Sequence, residues 1–178
     1  MRGLMTQLVT AGFVQRPVIV GQQEQRSFVE VFPSPALVTL FPGQNRRGHI
    51  HCRARVTSIS SRYKYKKERA WAEVHSEWET YRARLRSLEC REPALKLSPE
   101  VRRQIGIDIT EFKGAQYKQF DDLLDGIFCA YLAYYFWHWG SDRTWVIGDL
   151  ETGSVTVPKC HLPNCPLKRR VPISAGRD

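Results

Sequence analysis

The stretch FDDLLDGIFCAYLAYYFWHWG, residues 120–140, constrains the fold of this chain more than any other. From Ile127 to Trp137 it is almost wholly apolar, yet only about half as long as a bilayer-spanning helix, and His138 and Asp142 follow closely. It therefore reads as a buried helix starting near Gln116, and no membrane partner is expected. Three acids sit at the head of it. Successive residues of a helix advance by about 100°, so Asp121, Asp122 and Asp125 share an arc of roughly 100°. Cys129, Leu132 and Phe136 continue that arc, which puts the acids at the rim of a core. Two explanations compete. Aspartates near a helix N-terminus cap free N–H groups and complement the dipole, which suits Asp121 and Asp122. Asp125 lies a turn farther in, and three crowded like charges favour protonation unless a cation offsets them. Mg²⁺ or Mn²⁺, which prefer carboxylate oxygens, would supply that charge.

A chain of 178 residues is long enough for one domain with a real core. Its 42% hydrophobic and 25% charged residues argue against wholesale disorder. Leu4, Met5, Leu8 and Val9 keep helical spacing up to Gly12, a glycine-capped helix end. SFVEVF (27–32) reads as a short strand that Pro33 and Pro35 end in a turn, with Glu30 the odd residue inside it. Glu30 either faces solvent on an edge strand or joins the aspartates in a four-carboxylate set. Residues 42–61 have no sustained period and read as a loop or insertion. From 63 to 88, Trp71, Val74, Trp78, Tyr81, Leu85 and Leu88 keep the spacing of a helix. A short helix is expected from Pro99 to Ile105, and WVIGDL and GSVTVP as two strands joined by a turn. Residues 159–178 form a basic, proline-rich tail expected to be extended or disordered.

The net charge of +9 comes mainly from Arg46 to Arg103, and a field of that sign attracts polyanions. Lys64, Lys66, Lys67, Arg82, Arg84 and Arg86 are the candidate nucleic-acid contacts. Five cysteines at no framework spacing point to a reducing, cytoplasmic compartment. Cys160, His161 and Cys165 lack the paired spacing of a zinc site. No nucleophile elbow, Walker loop or dinucleotide fingerprint is present.

Four blocks in order, FVEVFPSPALVTLF, RYKYKKERAWAEVHSEWETYRARLRSL, YKQFDDLLDGIFCAYLAYYFWHWG and GSVTVP, resemble the later portion of DUF429, a prokaryotic family of predicted RNase H-like nucleases. The resemblance covers about residues 27–158, and its most specific part is the aspartate block ahead of the alanine-and-tyrosine helix. It implies an α/β fold, a sheet flanked by helices, over residues 1–158, with Glu30 on a late strand and Asp121, Asp122 and Asp125 on a helix closing the site. Their implied roles are Mg²⁺ or Mn²⁺ coordination and orientation of water for phosphodiester hydrolysis.

The departures carry their own expectation. The family opens with two Asp-bearing strands, whereas the first aspartate here is Asp108. An incomplete RNase H-like fold is therefore expected, with weak metal binding, little or no cleavage, and self-association through an exposed sheet edge. The alternative is a non-catalytic basic module that binds nucleic acid or a partner chain.

Overall fold

The computed structural model describes residues 2–16, 20–41, 43, 44, 50, 51, 71–149, 151 and 153–160. They form a mixed α/β chain in two compact units, Arg55–Tyr134 and Met1–Ala54 with Tyr135–Asp178.

The Arg55–Tyr134 unit rests on two helices, α3 (Trp71–Ser87) and the first four-fifths of α5 (Ala115–Trp139). On α5, Tyr117, Phe120, Leu124, Phe128 and Tyr131 are buried at steps of three and four, which makes one apolar stripe. On α3, Trp78, Tyr81 and Leu85 answer it. Trp78 lies 5.3 Å from Tyr117 and 5.2 Å from Phe120, ring centre to ring centre, and Tyr81 lies 6.3 Å from Phe128. Contacts advance together along both helices, so the two run in the same sense. Each fully buried aromatic contributes about 1.5–3 kcal/mol by leaving water, which makes this seam the main source of cohesion in the unit. Its strength is apolar: the Trp78 Nε1 is buried without a hydrogen-bond partner among the described residues.

A parallel pair needs a crossover, and residues 88–114 supply it. A 3₁₀ turn, Leu88–Cys90, follows α3, and α4 (Pro99–Ile105) comes next. Ser98 caps α4 by accepting from the Val101 N–H at 3.2 Å, and Pro99 occupies the first turn, where its missing N–H costs nothing. Residues 63–70 of the expected longer helix lie outside the described residues.

In the other unit, α1 (Arg2–Thr10) closes as its glycine foretells. Gly12 has φ +82°, Phe13 N–H donates to Leu8 O and Gly12 N–H to Val9 O, both at 3.0 Å. Strands β1 (Val14–Gln15) and β2 (Ser27–Phe28) pair in parallel. The chain beyond β2 then runs parallel to β6 (Gly153–Pro158): Val31 bridges Thr156, whose N–H donates to Glu30 O at 2.9 Å. The turn expected at Pro33 and Pro35 is instead a helix, α2 (Pro33–Leu40). Both prolines fall in its first turn, where no intrahelical donor is required. Ala36 and Leu37 of α2 are buried, and the helix lies against β6. Within 42–61 the described residues form one antiparallel pair, β3 (Gly43–Gln44) with β4 (Ile50–His51).

The end of α5 passes through a 3₁₀ turn, Gly140–Asp142, into β5 (Thr144–Asp149), which pairs with β6 as an antiparallel hairpin. Thr144 Oγ1 donates to Gly140 O at 2.6 Å and the Arg143 guanidinium lies 3.5 Å above the Trp139 ring, fixing the strand's exit. Gly148 has φ +93°, and a Cβ there would lie 2.1 Å from Gly153 O. Gly148→Ala is therefore expected to destabilise the protein by about 2 kcal/mol or more through strain and clash, read as a lower urea midpoint; an unchanged midpoint would contradict the hairpin geometry.

Candidate functional site: the carboxylate stripe of α5

The start of α5 decides what its aspartates can do. Gly114, at φ +51°, precedes the helix, and the Gln116 side-chain oxygen accepts from the Lys113 N–H at 3.0 Å. Only the first four N–H groups of a helix lack intrahelical partners. Asp121 lies six residues beyond Ala115, and the first turn holds no acid. Capping, one of the two explanations open from the sequence, is thus excluded for Asp121 and Asp122 alike.

What the structure supplies instead differs for each carboxylate. Asp122 is exposed and pairs with Lys118 one turn earlier, and this hydrogen bond holds the Lys118 ammonium above its usual range. Asp121 and Asp125 are half-buried at the edge of the apolar stripe, as the rim position predicts. Asp125 Oδ1 accepts from the Tyr81 hydroxyl at 3.3 Å, the long end of such a bond. Tyr81 is 1% exposed. Burial raises its phenol pKa far above the ordinary value, and the Asp125 charge and hydrogen bond, then Cys129 and Asp121, push the same way. Burial, followed by the Asp125 charge, also raises the thiol of half-buried Cys129. Nearby, His75 Nε2 and the Tyr117 hydroxyl are 3.2 Å apart.

Glu30 belongs to the other unit, and its side chain is exposed beside the half-buried Val29 and Val31. Among the described residues no group of three or more His, Cys, Asp and Glu side chains is placed to hold a metal ion. Of the four carboxylates expected to hold Mg²⁺ or Mn²⁺, Asp121, Asp122, Asp125 and Glu30, the Asp122 carboxylate pairs with Lys118 and that of Asp125 accepts from Tyr81. Tyr81, whose spacing on α3 marks it for the core, is also a partner of this carboxylate. The signal for more was its hydroxyl, since a buried tyrosine at an apolar helix position calls for a hydrogen-bond partner.

The basic residues divide as well. Arg82 is not on an exposed basic face: it is 5% exposed, and its Nη1 donates to Ile105 O at 3.0 Å and Ile107 O at 2.7 Å. It also pairs with Glu79 and lies 5.7 Å from the Phe120 ring centre. This guanidinium closes the C-terminal end of α4, where carbonyls point outward and the dipole favours a cation. Arg84 is half-buried and Arg86 exposed. Lys64, Lys66 and Lys67 lie outside the described residues, as do His161 and Cys165, while Cys160 is buried.

Comparison of the chain with protein-family models, with curated proteins and with solved structures gives no match. Among the described residues no helix is long and apolar enough to cross a membrane.

Arg82→Leu is expected to cost about 2–3 kcal/mol, because two carbonyls lose a charged donor, whereas Arg86→Ala is expected to stay close to the wild-type urea midpoint. Equal effects of the two substitutions would contradict the distinction between a closing and a surface arginine.

Proposed function

We propose that this chain is an RNase H-like domain related to metal-dependent nucleases, with little or no phosphodiester hydrolysis of its own. The resemblance of its four blocks to that nuclease family supports the reading. The observation that carries it furthest is the parallel run of residues 30 and 31 along β6. The start of the first block, FVEVF, and the last block, GSVTVP, thereby share one backbone neighbourhood, as neighbouring strands of a common sheet would. The engagement of Asp122 by Lys118 and of Asp125 by Tyr81 supports the low activity.

A second reading, a basic module that binds nucleic acid without cleaving it, is favoured by the net charge of +9 and the exposure of Arg86 on α3. Incubating the full chain with end-labelled single- and double-stranded DNA and RNA, with Mg²⁺ or with chelator, tests both. The expected result is no cleavage above the chelator control; robust Mg²⁺-dependent cleavage abolished by Asp125→Asn would overturn the low-activity claim. Metal-independent binding in the same mixtures that falls steeply with added salt would favour the second reading.

A further inference from the structure

We infer that Asp125 is a helix-to-helix tether, held to α3 by the Tyr81 hydroxyl, and that this bond takes the place of a metal ion at the carboxylate stripe. The inference rests on contact geometry and stands whether or not the relation to nucleases holds.

Asp121, Asp125 and Cys129 are spaced four residues apart, so they form a line along α5 beside the buried stripe of Phe120, Leu124 and Phe128. Tyr81, on α3, packs its ring edge-on against Phe128 and puts its hydroxyl on Asp125, the middle member of that line. Ring and hydroxyl thus act together. The ring fixes the position along the seam, and the hydroxyl supplies a hydrogen-bond donor to a half-buried carboxylate, offsetting part of the hydration lost there.

The same geometry works against a cation. A divalent ion drawn to Asp125 would have to bind through Oδ2 alone or take Oδ1 from the Tyr81 donor, and a phenol 1% exposed has no ready route to water. The Tyr81 proton stays in place at neutral pH, because burial and the neighbouring acids both disfavour phenolate. A neutral donor in this position serves the Asp125 carboxyl group without bringing any ligand charge of its own. Asp122, the remaining acid of the group, points to Lys118 on the exposed side and adds nothing to the line.

A double-mutant cycle on the full chain, followed by thermal unfolding in chelator and in excess Mg²⁺ or Mn²⁺, tests the tether. Tyr81→Phe and Asp125→Ala are each expected to lower Tm by about 2–4 °C, and the double variant by little more than either alone, since the shared bond is lost only once. Neither metal is expected to move the wild-type Tm. Additive losses would overturn the tether, as would a metal-induced rise in wild-type Tm that Asp125→Ala removes. Should a variant fail to fold, the wild-type chain alone decides: an unchanged Tm in Mn²⁺ supports the inference and a clear rise overturns it.

Discussion

The packing of α3 against α5 through Trp78, Tyr81, Tyr117, Phe120 and Phe128 is the contact on which the Arg55–Tyr134 unit depends. Large rings in register give two parallel helices a fixed relative position that small apolar residues would leave free to slide. Two of the unit's polar groups are placed by that seam. Arg82, one residue past Tyr81, is carried under α4 and closes its end. Asp125, one residue past Leu124, is carried to the Tyr81 hydroxyl. Neither polar group could be satisfied where it lies if the seam were shifted by one residue.

The other unit depends on a different constraint, the closing of α5 into the β5–β6 hairpin. The Gly140–Asp142 turn, the Thr144 hydroxyl on Gly140 O and the Lys159 N–H donating to Arg143 O at 2.7 Å hold the two ends of the hairpin to the helix terminus. Once β6 is held, the backbone at Glu30 and Val31 and the buried face of α2 have something to pair with and pack upon. Trp137 is tied into the same unit, with its Nε1 donating to Gln23 O and its carbonyl accepting from the Gln22 N–H. A side chain that composition alone would bury is thereby left 43% exposed at a loop contact.

Elements governed by local chemistry were legible in the sequence. Gly12 ending α1, Pro99 opening α4, the three-and-four spacing of α3 and α5, and the two strands after Gly140 all lie where residue type and spacing put them. The failures have physical causes. Pro33 and Pro35 punctuate a strand or start a helix equally well, and packing of Ala36 and Leu37 decides for α2. Arg82 carries the same charge as Arg84 and Arg86, and only its place on the buried side of α3 makes it structural. The aspartates showed the same gap: their shared arc was legible, but partners on α3 and at Lys118 depend on tertiary distance and rotamer. Periodicity tells which side chains share a face, not what meets that face.

Asp122 and Asp125 of α5 are engaged by protein groups, Lys118 and the Tyr81 hydroxyl, with which a divalent ion would have to compete. The most direct test is paramagnetic line broadening of the backbone amides of the full chain as Mn²⁺ is added at substoichiometric levels. No selective loss of signal is expected at Asp121, Asp122 and Asp125 relative to exposed acids such as Glu100 and Glu151. Selective broadening centred on Asp121 to Asp125, reversed by excess Mg²⁺, would contradict it.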